Sequence, residues 1–495
     1  MLRQWVALVI IVMLYIPVAI DATVLHVAVP TLSMTLNASG NQLLWIIDIY
    51  SLVMAGMVLP MGALGDRIGF KRLLITGSLL FGLSSLAAAL APSAAWLIAT
   101  RASLAIGAAM IIPATLAGIR TLFVEARDRN IALGVWAAVG SGGAAFGPLI
   151  GGAVLEHYDW GAIFFINVPL VVVMVALAVW LIPGQPGRPE QKLNLPHALL
   201  LIVAILLLVY SAKTALKGDV SPSQVTAALI AGAAMLALFI RLQRRAEQPM
   251  IDLQLFCHRI ILSGVVMALT AMIALVGFEL LMAQELQFVH GFTPFEAGKF
   301  MLPVMIASGF SGPIAGILVG KLGLRPVAVG GMGFSGISFL GLSMLDFSTQ
   351  QWQAWSLMVL LGFSASSALL ASTSAIMAAA PKEKAAAAGA IETMSYELGA
   401  GLGIALFGLL LTRSFTASIV LPSALDPGLA EKASSSIGEA IKVTQTLDPA
   451  LAGATIQAAK AAFITSHSVA LISAAVLLLL LAAGIGFSLA KSTQK

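Results

Sequence analysis

The sequence predicts an all-α polytopic membrane protein, and three observations carry that prediction. Of the 495 residues, 59% are hydrophobic and only 10% charged, against about 25% charged in an ordinary soluble domain. Apolar runs of about 17–25 residues, each long enough to cross ~30 Å of hydrocarbon as a helix, recur from end to end. The third observation is where the basic residues fall. With both termini in the cytoplasm, nineteen of the 27 Lys and Arg lie in inner segments, seven in outer ones, and Arg101 inside a span. That bias is the one the positive-inside rule requires. The inner set includes Arg188, Lys192, Lys382, Lys384, Lys491 and Lys495, and the outer set includes Lys213 and Lys217. A soluble globular protein is excluded. The net charge of +5 follows from topology and does not point to nucleic acid. The single cysteine, Cys257, makes no intramolecular disulfide and has no metal-site spacing.

Fourteen spans are expected, at 5–28, 43–64, 73–91, 95–119, 131–155, 162–182, 197–213, 225–241, 260–286, 299–319, 326–345, 353–378, 387–412 and 466–489. The first follows Arg3 as a signal peptide would, but its run is long and lacks a clear cleavage site, so it reads as a retained helix. The second and third flank the charged turn Asp66–Arg72. The fourth holds Arg101, the fifth is the glycine-rich run around Gly143–Gly152, and the sixth follows Trp160. The ninth carries Glu279 and Glu285, and the thirteenth carries Glu392 and Glu397 among Gly399, Gly401 and Gly403. Between the last two spans lies an outer loop, 414–465, whose stretches Leu429–Val443 and Pro449–Ala462 suit short surface helices, as a lid or as a tolerated insertion.

An internal repeat organises these spans. The stretch from Gly62 to Lys71 (GALGDRIGFK) matches the stretch from Gly316 to Arg325 (GILVGKLGLR) at an offset of 254 residues. Each copy follows the second helix of a six-helix block. The expected units are therefore an N-terminal six-helix bundle at 1–182, an inserted helix pair with linkers at 183–259, and a C-terminal six-helix bundle at 260–495. Two bundles related about the membrane normal describe the major facilitator arrangement, with a site between them near the midplane.

Two motifs carry mechanism. In the turn, Gly62 and Gly69 let helix ends approach, Asp66 is an acceptor, and Arg67, Lys71 and Arg72 are held inside. In the fifth span, Gly143, Gly147 and Gly151 recur every fourth residue and form a flat stripe on which another backbone can lie. Pro148 beside them removes one helical hydrogen bond, and Gly152 extends the small surface.

With these residues the chain resembles the fourteen-helix drug:proton antiporters of the major facilitator superfamily over essentially its whole length. Gly62–Arg72 is similar to the superfamily's loop signature, and Gly143–Gly152 to the antiporter signature. Asp21-Ala-Thr-Val-Leu-His-Val-Ala-Val-Pro30 resembles the family's first-helix motif, which usually has Asn where His26 stands. Trp160–Pro169 resembles the start of its sixth helix, although Gly161 and Ala162 replace the usual Arg and Trp. In the fourth span Arg101 is kept, while Leu104 and Ala105 replace Gln and Gly. Glu392-Thr-Met-Ser-Tyr-Glu397 narrows the likeness toward quaternary ammonium exporters. The resemblance implies a multi-pass protein of a bacterial inner membrane, acting as a monomer without cofactor and driven by the proton gradient.

The candidate site follows from depth and charge. A carboxylate at the bilayer centre costs roughly 2.5–3.5 kcal/mol on insertion scales, so such residues face a cavity and have a task. Asp21 lies about 24 Å along the first helix from Trp5, and Asp48 and Arg101 are expected at a similar level. These three, with Glu279, Glu392 and Glu397, form the expected proton-coupling and cation-binding set. Glu285 is expected at the outer rim in contact with solvent. Trp45, Tyr50, Phe278, Met282 and Tyr396 are the expected aromatic and thioether lining, suited to flat or greasy cations. Trp5, Trp96, Trp160, Trp352 and Trp355 fall where interfacial belts are expected.

Competing classes are separated by what the chain contains. It has no GxxxxGK[ST] phosphate loop, which leaves ion coupling as the energy source. The expected function is proton-coupled export of lipophilic cations. An exporter of amino acids or siderophores and a non-transporting receptor on the same fold are the alternatives. A channel fits poorly, since no filter segment is present. An enzyme is not expected.

Overall fold

Capping signals and glycines set where the apolar runs start and stop as helices. The structure, a computed structural model, describes residues 2–184, 186–187, 195–215, 221–246, 249, 253–380 and 385–490. Arg188, Lys192, Lys217, Lys382, Lys384, Lys491 and Lys495 lie outside them. The N-terminal bundle consists of α1 (Leu2–Thr35), α2 (Gly40–Ile68), α3 (Phe70–Ala89), α4 (Ala94–Leu122), α5 (Ala126–His157) and a sixth span divided into α6 (Ala162–Phe165) and α7 (Asn167–Leu181). The inserted pair is α8 (Leu195–Ala215) and α9 (Pro222–Arg245). The C-terminal bundle consists of α10 (Arg259–Gln284), α11 (Pro294–Leu322), α12 (Leu324–Leu342), α13 (Gln351–Ala379), α14 (Ala385–Ser418) and, after the short α15 (Pro427–Ser435) and α16 (Ile437–Thr444), α17 (Pro449–Ala490). No strand occurs among the described residues.

Twelve helices among the described residues are long and apolar enough to cross a membrane. The glycine-rich α5 and α12 are not among the twelve. They join the bundles by packing, α5 between α1 and α11 and α12 between α13 and α17, which is consistent with fourteen spans.

The internal repeat is structural as well as sequential. In the first bundle α1 lies on α5, α2 and α3 on α4, and α3 on α7. In the second, α10 lies on α14, α11 and α12 on α13, and α12 on α17. The second helix of each bundle opens with the same device, a reciprocal capping box made by Ser39 and Gln42 in α2 and by Thr293 and Glu296 in α11. Each also ends at a left-handed glycine, Gly69 with φ 92° and Gly323 with φ 86°. These two glycines are equivalent positions of the repeat, and the turn to the next helix needs a φ that L side chains avoid.

Two seams join the bundles, α5 against α11 and α2 against α14. The inserted pair lies beside the bundles. α8 packs along α2, with Ile202 filling the notch left at Gly56, where a Cβ would lie 2.3 Å from Ile202 Cγ1. α9 in turn packs on α8.

The long loop departs from expectation in two ways. Leu429–Val443 is not one helix, because Ser436 takes an extended conformation and caps α16 by accepting from the Glu439 N–H. Pro449–Ala462 is not a separate surface helix but the first turns of the 42-residue α17. No proline interrupts that run, and Ala459, Ala462 and Phe463 bury one face against Ile437, Ala440 and Phe415. The end of the molecule that bears α15 and α16 is called the cap face below.

Candidate functional site

The fifth-span glycines do what their spacing predicts. A Cβ on Gly143 would lie 2.6 Å from Ala19 Cβ, one on Gly147 2.1 Å from Thr23 Oγ1, and one on Gly151 2.5 Å from Val24 Cγ2. The stripe therefore brings α5 into backbone contact with α1 on both sides of Asp21, and Thr23 donates to Ala144 O across it at 2.8 Å. Gly152 points the other way, into the seam, where a Cβ would lie 2.6 Å from Pro294 O. In the second bundle α14 repeats this division of labour. Gly399 and Gly403 lie on α10, while Gly401 and Gly408 lie on Leu52 and Leu44 of α2.

Asp21 and Arg101 meet, as their shared level predicts. The Arg101 guanidinium is ion-paired to Asp21 Oδ2, and both side chains are about 1% exposed. Its Nε also donates to Ile46 O at 3.2 Å, and its guanidinium lies 4.5 Å from the centre of the Tyr50 ring. The Tyr50 hydroxyl donates to Val18 O at 3.4 Å. One arginine thus ties α1, α2 and α4 together. Glu397 reaches this region from the other bundle. Its carboxyl meets the Ser51 hydroxyl of α2 and lies within electrostatic range of Tyr50 and Tyr15, while its side chain stays only half-buried. Below it on α14, Glu392 accepts from the Thr373 hydroxyl, which also contacts the Tyr396 hydroxyl at 2.9 Å.

Asp48 does not join Asp21 and Arg101. It is fully buried and ion-paired to Lys213 of α8, whose ammonium also sits 4.2 Å from the centre of the Trp45 ring. Asp48 and Tyr50 are two residues apart, about 200° around a helix, so they look to different neighbours. Trp45 consequently flanks the inserted pair and not the Asp21 region. Lys213, expected at the outer surface, is 3% exposed.

Phe278 and Met282 are fully buried in the core of the C-terminal bundle, with the Phe278 ring 5.6 Å from that of Phe339. Both are 0% exposed. Glu279, one residue on from Phe278 and about 100° around the helix, meets a different neighbour: its Oε2 lies 3.5 Å from Nδ1 of the buried His26 on α1. Glu285 is not solvated. It starts the π-helical turn Glu285–Val289, is about 5% exposed, and pairs with His467 of α17 and, at 3.4 Å, with His290. His26, Lys213 and His467 were not singled out as site residues in the sequence. The signal was available, because an ionisable side chain inside an apolar span requires a partner.

In the charged turn, Asp66, Arg67 and Arg72 are exposed, whereas Lys71 donates to Val179 O at 2.9 Å and closes the end of α7. Trp96 and Trp352 are strongly exposed, as belt residues would be. Among the described residues no cluster of His, Cys, Asp and Glu suits a metal ion.

The bundles approach closely toward the cap face. There Gly152 meets Phe295, Gly298 meets Leu149, Gly408 meets Leu44, and Thr293 Oγ1 donates to Glu156 at 2.9 Å. Near the opposite ends of α5 and α14, Gly134 and Gly389 have nothing beyond them within 4 Å among the described residues. A cavity remains under α16, lined by Val29, Ser33, Leu44, Ile47, Phe288 and Phe415. Its lining is mainly apolar, with Ser33, Gln284 and Thr412 among it, and none of the candidate carboxylates lines it.

Residues 11–404 match the Major Facilitator Superfamily. The chain belongs to the major facilitator superfamily. It is a multi-pass membrane transporter. This facilitator is 71% identical, over the whole of both chains, to the methyl viologen resistance protein SmvA of Salmonella typhimurium. It is 34% identical to the multidrug efflux pump LfrA of Mycolicibacterium smegmatis, covering 98% of this chain and 96% of that one. The same fold is seen in the inward-facing, occupied crystal structure of a bacterial homolog of the human lysosomal transporter Spinster. There the TM-score is 0.71 at 17% identity, over 98% of this chain and 96% of that one.

Proposed function

We propose that this facilitator exports lipophilic cationic drugs, biocides and dyes, viologens and quaternary ammonium compounds among them, in exchange for protons. The observation that carries the reading is the Asp21–Arg101–Tyr50 group of one bundle facing the half-buried Glu397 of the other. Carboxylates in a membrane interior attract either a proton or a cationic substrate, and two bundles that rock about a site between them give it alternating access. The names of the two relatives, a methyl viologen resistance protein and a multidrug efflux pump, support the substrate class.

In this reading both termini are cytoplasmic, the membrane is the inner membrane of a bacterium, and the cap face is outside. The closed cap face then corresponds to an inward-facing state. Glu397, Glu392 and Tyr396 receive the cation from the cytoplasmic side. Asp21 exchanges Arg101 for a proton as the bundles rock. The glycine stripe of α5 lets α1 and α11 move against it, and the turn from Gly62 to Arg72 with its copy at Gly316–Arg325 guides closure of the inner face. The chain works as a monomer with no bound cofactor.

The test is uptake of ethidium and of methyl viologen into energised inverted membrane vesicles. Uptake is expected to collapse with a protonophore. Exchange of one proton for one monovalent cation moves no net charge, whereas a dication exchanged for one proton does. Each charge crossing 100 mV is worth about 2.3 kcal/mol, so substrates of different charge should respond differently when the potential alone is collapsed. Uptake indifferent to the protonophore overturns proton antiport.

A further inference from the structure

The inserted helix pair places a lysine where a cationic ligand would sit. Lys213 Nζ is held by the Asp48 carboxylate on one side and by the face of Trp45, 4.2 Å away, on another. A carboxylate beside an indole face is the combination that retains organic ammonium ions: the carboxylate supplies charge, and the ring attracts a cation whose surface is apolar. We propose that Trp45 and Asp48 form an accessory cation site at the junction of α2, α8 and α14, that Lys213 is its built-in occupant, and that a lipophilic cation arriving from the bilayer displaces it. This rests on the reading of the chain as a cation exporter.

Three observations support it. First, the site lies at the edge of a bundle seam. Leu52 of α2, Val209 of α8 and Ala405 of α14 pack together beside it, with Trp45 against them. α8 therefore covers the α2–α14 seam at this level, on the side from which a lipid-dissolved molecule would arrive. Second, the cover is peripheral. α9 leaves Leu229, Ile230, Leu238 and Ile240 exposed, and the pair reaches the N-terminal bundle through α2. Third, Asp48 Oδ1 is buried with no hydrogen-bond partner, so the carboxylate keeps an unused acceptor.

The chemistry makes Lys213 displaceable. Its ammonium is a compact, strongly hydrated charge on a flexible stem, two residues from the end of α8 at Ala215, so it can withdraw toward the membrane surface. A quaternary ammonium or phosphonium is poorly hydrated and gains more from the indole face than a primary ammonium does. Tyr50, two residues along α2, faces Arg101 instead. A cation held by Trp45 and Asp48 thus stands across α2 from the Asp21 region, one helix outside the central site.

The probe is tetraphenylphosphonium, with the full-length chain in nanodiscs. In the wild-type chain, saturating probe is expected to raise acylation of Lys213 by an amine reagent several-fold, read residue by residue by mass spectrometry. In equilibrium binding, Lys213→Met is expected to strengthen a second, weaker site by about tenfold, and Lys213→Met with Asp48→Asn to lose that gain. Labelling of Lys213 that the probe leaves unchanged overturns the proposal and marks the pair as a static clamp. So does a Lys213→Met chain that binds the probe as the wild type does. The labelling arm uses the unaltered chain, so a variant that fails to fold does not remove the test. Probe transported normally with no change at Lys213 sinks the accessory site alone, whereas a chain that neither binds nor transports the probe sinks the export reading as well.

Discussion

Arg101 on α4 grips Asp21 on α1 while its guanidinium lies over Tyr50 on α2, so one buried cation fixes three helices around one carboxylate. Removing one member of a buried pair strands the other, at a cost of about 3–5 kcal/mol, whereas removing both charges is far milder. Arg101→Ala is expected to destabilise the purified chain on that scale and abolish transport. Asp21→Asn should abolish transport while the protein still inserts. The double variant should regain much of the lost thermal stability and none of the transport. Arg101→Lys keeps a charge without the planar fork and should retain only a fraction of transport. A double variant no more stable than Arg101→Ala contradicts the pairing, and normal efflux by Asp21→Asn removes that carboxylate from the mechanism.

The glycine stripe separates close approach from helix propensity. Gly147→Ala places a methyl 2.1 Å from Thr23 Oγ1 and 3.0 Å from Ile20 O, an overpacking of about 1–3 kcal/mol. Gly134→Ala, on the same helix with open space around it, should be neutral or slightly stabilising. Thermal unfolding in detergent compares the two. Adding Thr23→Ala to Gly147→Ala should recover only part of the loss, since the Ile20 carbonyl stays in place.

The Glu285 cluster pins the end of α10 to α17 through His467, with His290 on the second oxygen. Glu285→Gln leaves two histidines without their anion and is expected to loosen this cap-face corner. Faster amide hydrogen exchange should follow in 285–290 and in the first half of α17, with the α1–α5 contact unchanged. Exchange unaltered near His467 would show that the cluster holds nothing.

Closure at the cap face can be trapped. Glu156 of α5 and Thr293 of α11 touch across the seam. In a Cys257→Ser background, which removes the exposed native thiol, Glu156→Cys with Thr293→Cys should cross-link with a short bifunctional thiol reagent. Cross-linking is expected to stop transport, and a reducible linker should restore it on reduction. Transport that continues with both sites bridged rules out opening at this seam.

Much of this architecture was legible in the chain. The repeat, the glycine stripe and the shared level of Asp21 and Arg101 follow from one-dimensional signals. Apolar length reports span number, the 254-residue offset reports the repeat, and spacing by fours reports a flat face. Gly69 and Gly323 stand at equivalent places in that repeat, and both take positive φ.

The partners of the remaining ionisable groups were not legible, and the reason is specific to membranes. In a water-soluble helix the polar face declares which side is out. Here α4, α10 and α14 are apolar nearly all round, so periodicity gives the angle between two residues but not the neighbour each one meets. Phe278 and Glu279 are adjacent in sequence, yet one enters the core of its own bundle and the other reaches His26 of the opposite bundle. The sequence by itself determined that Asp48 is buried in an apolar span and needs a cation. Only the packing of α8 along α2, seated at Gly56 and Ile202, decided that the cation is Lys213 and not Arg101. Which helix faces overlap is a property of three-dimensional packing, and no local pattern encodes it.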